Sequence, residues 1–452
     1  MTVSMTEGKE WRHLLMFALP LMGGMVLQQL YNTVDGIIVG NYVGDTALGA
    51  VGACSPLTML FVSLAIGMCT GCSVVVAQYF GAGKIEEMRR AASTSIILLV
   101  VLGAALSVLG AVFARPLLEY VLGVSDWYIE YATDYFSIYA AGLIFQFAYN
   151  VFAALLRAVG DSKATLYFLI VSSVTNLVLD LLFVVGFHWE VAGAAIATII
   201  SQAASAVVAA AYMIRKHELL RFTQKELRFH GATAKLTMRI AAPATLQQTV
   251  MACGNLALQR IINDFGGIYA GLMSGTTAAM RIETFAYIPL FAFNTAMATF
   301  TGQNVGAGRL DRVKSGRRRC LLMGVAVSAV VAAVILMLRA QAVSLFGVSE
   351  DGLRYGMLYL TILCPGLPVF GLYIINGGVL TGAGDTAYNA FVLLSSFALR
   401  CILAYILAYC TPLEYRAVWL SMPIGWVCNL LLGWPRYYTG GWKKKIITGV
   451  KA

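Results

Sequence analysis

Two aspartates and an asparagine, set in long apolar runs, are the residues of this 452-residue chain best placed to do chemistry. The run from Ser172 to Phe187, SSVTNLVLDLLFVVGF, carries Asn176 and Asp180 in its middle, and LMGGMVLQQLYNTVDGIIVG near the start carries Asp35. An ionised side chain at the centre of a bilayer costs about 3 kcal/mol on insertion scales, so such residues face a bundle interior and find partners there. Asn176 and Asp180 are four residues apart, a spacing that stacks them on one helix face. Two carboxylates on different helices cannot both stay ionised in a low dielectric without a cation, and they titrate as a pair. The arrangement predicts a site that binds and releases H⁺ or Na⁺ to drive a transporter.

The elements that must hold these residues follow from composition. With 59% hydrophobic residues, 12% charged and a mean hydropathy of +0.77, the chain has too little polar surface for a water-soluble globule. Apolar segments long enough to cross a roughly 30 Å hydrocarbon core recur along its length. Twelve are predicted, near 13–38, 46–75, 91–122, 127–156, 163–186, 190–215, 234–262, 270–300, 316–342, 352–380, 387–409 and 416–438. Short connections leave no room for a folded soluble domain, and the first run is too long, and leads too directly into a second, for a cleaved signal peptide.

Lys9, Arg12, Lys84, Arg89, Arg90, Arg157, Lys163, the Arg215–Arg239 and Arg309–Arg319 connections and Lys443–Lys445 all fall on one side of this map. The other side has little beyond Arg115, Arg339, Arg354 and Arg416, which predicts a plasma (inner) membrane protein with both termini cytoplasmic. The net charge of +10 is mostly this asymmetry. Because the basic residues are split among short loops, they do not form a nucleic-acid surface. Nine cysteines, mostly within spans, argue against a disulfide framework, and the CTGC at Cys69–Cys72 reads as small residues packing between helices. The four histidines lie near span ends or in loops, which disfavours an intramembrane metal cluster.

An internal repeat divides the chain. Pro20 matches Pro243 at an offset of 223, Gln78 of QYFGAGK matches Gln303 of QNVGAGR at 225, and Asp161 of LRAVGD matches Asp385 of TGAGD at 224. Six spans per copy is an even number, so the copies share one orientation and are related by an axis along the membrane normal. The predicted fold is an all-α membrane protein with twelve transmembrane helices in two parallel six-helix bundles. Its parts are an amino-terminal lobe over 1–215, a cytoplasmic connection over 216–233 and a carboxy-terminal lobe over 234–452. The GAGK and GAGR loops lack the earlier Gly and following Ser or Thr of a phosphate-binding loop, so they read as tight turns and ATP is not expected. At these offsets Asp35 corresponds to Leu258, Asn176 to Arg400 and Asp180 to Ala404, so the acids occur in the first copy only.

Taken in order, Pro20, Asp35, QYFGAGK, LRAVGD, TNLVLD and AGAAIAT resemble the multidrug and toxic compound extrusion (MATE) family over essentially the whole chain. The resemblance implies a secondary antiporter that exports amphipathic, often cationic, organic compounds in exchange for H⁺ or Na⁺. It implies no cofactor and no enzymatic activity, and the chain is expected to work as a monomer. In relatives with an amino-terminal ion site the ligands match Asp35, Asn176, Asp180 and Thr198, with Gln28, Tyr135 and Asn150 as further polar members. Other branches place acids in the carboxy-terminal lobe, where Glu283 is the candidate here, with a local ion pair to Arg281 or an interface position near the start of its span as the plain explanations. Pro20, lacking a backbone donor, lets the first helix bend at low cost. Two other functions compete. A lipid-linked precursor flippase would need a more basic cavity, and a membrane-embedded hydrolase built on paired aspartates would need water-accessible partners.

Overall fold

The computed structural model describes residues 4–43, 45–124, 126–223 and 226–448, and their regular structure is entirely helical. In chain order the helices are α1 (Glu10–Tyr42), α2 (Asp45–Gly81), α3 (Ile85–Val112), a single turn α4 (Ala114–Pro116), α5 (Asp126–Ala141), α6 (Leu143–Ala158), α7 (Ser162–Asp180) and α8 (Glu190–Lys216). They continue with α9 (Gly231–Gly266), α10 (Leu272–Gly306), α11 (Leu310–Ser344), α12 (Glu350–Leu363), α13 (Leu367–Gly382), α14 (Thr386–Cys410) and α15 (Tyr415–Tyr438). Among the described residues nine helical segments are long and apolar enough to cross a membrane, or ten if the bent pair α5–α6 counts as one. The predicted spans 234–262 and 270–300 fall on α9 and α10, which lie outside that set. Both are long enough, but uncharged polar residues lower their hydropathy, Gln247, Gln248 and Asn255 in the middle of α9 and Asn294, Gln303 and Asn304 in the second half of α10.

Several predicted spans are interrupted, each for an identifiable reason. The segment predicted over 91–122 stops being one helix at Val112, ahead of Pro116, which has no backbone donor to continue it. The segment over 127–156 bends by 44° between α5 and α6. The break is at Gly142, where a Cβ would come within 2.4 Å of Ile199, so α8 can approach only a glycine there. The segment over 352–380 breaks into a 3₁₀ turn, Cys364–Gly366, and a Cβ on Gly366 would meet Trp426 at 2.8 Å. Gly142 and Gly366 are 224 residues apart, the spacing of the sequence repeat.

By packing, the chain divides into two compact units, one comprising residues 1–4 and 19–245 and the other 5–18 and 246–452. The same set of helix pairs packs in each. In the first, α2 and α3 pack on each other and on α5 and α6, which pack on α8, and α7 lies on α8. In the second, α10, α11, α12, α13, α14 and α15 repeat those contacts in the same order. The unit boundaries fall within a turn of Pro20 and of Pro243. The residues ahead of α1 dock in the second unit, where Met5 donates to Gln303, Arg312 donates to the carbonyls of Met5, Glu7 and Gly8, and Arg319 pairs with Glu10 at 3.1 Å. The residues ahead of α9 dock in the first, where Arg89 donates to the Arg221 carbonyl and pairs with Glu226 at 2.7 Å, and Ser93 bonds the backbone of Arg228.

The GAG turns and the aspartate turns also repeat. Gly160 and Gly384 have φ of 91° and 89°, a backbone shape that favours glycine, and each is followed by the aspartate that precedes the next helix, Asp161 or Asp385. Asp161 accepts from the Ala164 amide at 3.1 Å, from the Tyr212 hydroxyl at 3.0 Å and lies 2.9 Å from His217 Nε2. Asp385 instead accepts from Arg436 Nε at 2.8 Å. Burial raises the Asp161 carboxyl, but the bonds from His217, Ala164 and Tyr212 outweigh it and the net direction is downward. Asp161 therefore contributes stability fully above the ordinary aspartate value of about 4 and loses it as pH falls through its lower folded value. Asp161→Ala is expected to destabilise the detergent-solubilised protein by about 1–3 kcal/mol at pH 7. The difference from the parent should shrink below pH 4, as thermal unfolding followed against pH would show.

Candidate cation site

Asp35 on α1 and Asp180 at the end of α7 face one another, their carboxyl groups within hydrogen-bonding reach. Asn176, one turn before Asp180 on the same face, is 1% exposed, as is Asp180. No donor of the protein bonds to buried Oδ1 of Asp35 or to either carboxylate oxygen of Asp180, and neither polar atom of buried Asn176 has a hydrogen-bond partner in the protein. Among the described residues no Lys, Arg or His acts on either acid. Two carboxylates 4 Å apart repel by about 4 kcal/mol at an effective dielectric near 20, so the pair requires a neutralising proton or cation.

Local structure presents this pair. After Asp180 the helix widens into a π-type segment, Leu181–Gly186, a form frequent at functional sites, as it also does at Leu117–Val121. One turn beyond the acids, Ile38 of α1, Val184 of the π segment and Ala194 of α8 pack into a buried apolar cluster. Ile38 follows Asp35 by three residues, Val184 follows Asp180 by four and Ala194 precedes Thr198 by four. The cluster thus gathers the three elements and closes one end of the site. The Thr198 hydroxyl donates to the Ala194 carbonyl at 3.0 Å and bonds neither acid, leaving its oxygen lone pairs free to accept. These are oxygen donors, the set that hard monovalent cations and protons take.

The remaining predicted residues distribute unevenly. Tyr135 stacks on Tyr139, ring centres 6.1 Å apart, and lies close to Asp35 and Tyr31. The Tyr139 hydroxyl donates to Gln146 at 3.3 Å, and Asn150 donates to the Gln146 carbonyl at 2.8 Å, so Asn150 connects to the acids only through Gln146, Tyr139 and Tyr135. Gln28 is exposed, two turns before Asp35 on α1. Pro20 lies inside an uninterrupted helix. Tyr31, Tyr139 and Gln146 were not singled out from the sequence. Tyr31 precedes Asp35 by four residues, the spacing that exposed the Asn176–Asp180 pair, and its hydroxyl lies in the field of both acids.

Glu283 belongs to the second unit and is 5% exposed. Both Tyr287 and Tyr359 donate hydroxyl hydrogen bonds to it, and Arg400 lies within electrostatic reach. The expected ion pair with Arg281 is corrected: Arg281 is exposed, while Glu283 turns inward to the tyrosines. All nine cysteines, Cys69 and Cys72 included, are free thiols.

Long apolar helices in two similarly packed units, with uncompensated acids in one of them, define a membrane transporter. The family pattern described as MatE matches residues 20–182 and again 243–406, well over half the chain, with the two matches starting 223 and ending 224 residues apart. The chain belongs to the MATE family. It is 27% identical to the probable multidrug resistance protein YoeA of Bacillus subtilis, over 97% of this chain and 95% of that protein. It is 29% identical to the probable multidrug resistance protein YpnP of the same organism, over 84% of each. Among solved structures, a MATE crystal structure in complex with MaL6 superposes with a TM-score of 0.91 at 25% identity, covering 97% of this chain and 98% of that one.

The unpartnered amide of Asn176 gives a test of whether this cluster is built for an ion or for the fold. Replacing Asn176 by Leu, of similar size, removes a buried amide that lacks partners and whose desolvation costs about 1–3 kcal/mol. Asn176→Leu is expected to raise or leave unchanged the thermal midpoint of the ion-free protein and to lose the stabilisation that added Na⁺ or lowered pH gives the parent. A drop of several degrees in the ion-free state would mark the residue as structural instead.

Proposed function

We propose that this chain is a secondary active antiporter of the plasma membrane that exports amphipathic, often cationic, organic compounds in exchange for H⁺ or Na⁺. The observation that carries this reading is the facing pair of half-buried Asp35 and buried Asp180, on α1 and α7, with no opposing positive charge among the described residues. Family membership and the multidrug-resistance relatives support the substrate class. The proposed architecture has twelve spans in two parallel bundles about a pseudo-two-fold axis along the membrane normal, with α9 and α10 as the seventh and eighth and both termini cytoplasmic. Lobes over 1–215 and 234–452 flank the connection at 216–233, of which residues 224–225 lie outside the described residues. The repeated helix packing supports this. The protein acts as a monomer, without ATP or nucleic acid, and carries out no catalysis.

In this reading Asp35, Asn176, Asp180 and Thr198 hold the ion by their oxygens, with Tyr31 and Tyr135 beside Asp35. Binding neutralises the pair and lets α1 and α7 close on each other; release restores the repulsion and favours their separation. The ion shifts the conformational balance only by the difference between its affinities for the two states. Pro20 is where α1 yields, because its missing amide hydrogen already removes one rung of the helix ladder. Gln28, exposed on α1, and the polar Tyr139–Gln146–Asn150 group stand where a moving α1 changes what a substrate meets.

The test is efflux of a fluorescent organic cation from proteoliposomes under an imposed pH or Na⁺ gradient. Asp35→Asn and Asp180→Asn, each monodisperse in detergent, are expected to lose at least about tenfold of gradient-driven efflux, one such factor being 1.4 kcal/mol of lost coupling. Parental gradient-driven rates in either variant would remove the proposed role.

A further inference from the structure

The second unit holds a polar centre at the repeat-related place, built from different residues. At the offset of 224, Tyr359 of α12 corresponds to Tyr135, and Arg400 of α14 corresponds to Asn176. Asp35, at the offset of 223 that relates the starts of the two copies, falls to Leu258, and Asp180, at 224, falls to Ala404; both are buried members of the second unit's apolar core. A single carboxylate, Glu283 of α10, enters this centre from a helix whose counterpart in the first unit contributes no acid there. Tyr287 and Tyr359 hold it, and Arg400 lies within electrostatic reach.

Arg400 is held in place by packing. Its guanidinium lies 5.6 Å from the Phe397 ring centre, its Nε is buried without a hydrogen-bond partner, and a Cβ on Gly425 of α15 would sit 3.4 Å from its own Cβ. The groups around Glu283 are Tyr287 on its own helix, Tyr359 and Cys364 from α12 and the turn after it, and Arg400 from α14, with Tyr373 of α13 beside Tyr287 and Arg400. Met422 and Trp419 of α15 cover Tyr359. Among these groups Arg400 alone carries a permanent positive charge.

We propose that Arg400 is a tethered cation that balances Glu283, so that the second unit carries internally the charge that the first unit takes from solution and exchanges no ion. The number of ions moved per cycle is then set by the Asp35–Asp180 pair alone, with Arg400 as the positioning residue that keeps the second centre silent. This rests on the first-unit site being the exchangeable one.

The test counts cations exchanged per chain by the purified full-length protein in weakly buffered detergent, as proton release across pH 5–9 and as radioactive Na⁺ bound. The parent is expected to exchange roughly one, and Asp180→Asn to lose it; retention of exchange in Asp180→Asn counts against the first-unit reading itself. Glu283→Gln is expected to exchange as the parent does. Arg400→Gln is expected to gain roughly one further exchangeable cation, doubling the count, while Arg400→Lys and the double variant Arg400→Gln with Glu283→Gln gain none. An unchanged count in a monodisperse Arg400→Gln protein overturns the proposal. So does a lost count in Glu283→Gln, an arm that still decides the matter if Arg400→Gln does not fold.

Discussion

The structure depends on one unfavourable contact, two carboxylates brought together between α1 and α7 with nothing in the protein to offset them. The surrounding packing works to keep them there. Ile38, Val184 and Ala194 lock the ends of three elements over the site, and α7 opens into a π-type segment immediately after Asp180. A fold selected for stability alone would replace such a pair by hydrocarbon, which is what stands at the equivalent positions of the second unit, Leu258 and Ala404. In the proposed reading the cost is tolerated because its relief depends on an ion, and a free energy that depends on an ion is what coupling requires.

How much of this was readable from the sequence depends on the range of the interaction. Asn176 and Asp180 were readable because both lie on one helix, where a spacing of four fixes a shared face. That Asp35 lies across from them could be inferred only from the rarity of acids in apolar segments, since the meeting of α1 and α7 is tertiary. The repeat was readable from short glycine and aspartate turns, because positive-φ positions constrain residue type: Gly160 and Gly384 carry nearly the same backbone angle in both copies. The breaks at Gly142 and Gly366 were missed, since each is imposed by a neighbour, Ile199 or Trp426, far away in sequence. Glu283 was legible as an intramembrane acid, but Arg281, its neighbour in sequence, was the wrong partner. A separation of two on a helix points side chains to different faces, and the hydrogen-bond partners come instead from α10, one turn on, and from α12.

The ends of α1 and α9 show a second use of the repeat. The residues leading into α1 are held in the second unit by Arg312 and Arg319, and those leading into α9 are held in the first by Arg89 and Ser93. Each of these two helices therefore starts in one unit and continues in the other, and each has its proline, Pro20 or Pro243, within a turn of the changeover. Bending energy is lowest where a helix already lacks a hydrogen bond, so in the proposed mechanism any bending of α1 concentrates at Pro20. An event at Asp35, fifteen residues further along, can thus be expressed as a change of direction in α1 without disturbing its docked beginning.

The asymmetry proposed between the units would also limit what the transporter can do with its energy source. With one exchangeable cation entering for each monovalent cationic substrate leaving, no net charge crosses the membrane, and the potential contributes nothing to the exchange. The chemical gradient of the ion then sets the limit, a tenfold ion gradient supporting a tenfold substrate gradient, about 1.4 kcal/mol at 25 °C. A neutral substrate changes the balance, because one positive charge then moves inward per cycle and gains about 2.3 kcal/mol for each 100 mV. A second exchangeable site would raise both limits but would also have to be emptied on every cycle. A guanidinium built into the second unit avoids that step, and it leaves the direction and depth of pumping to a single pair of acids.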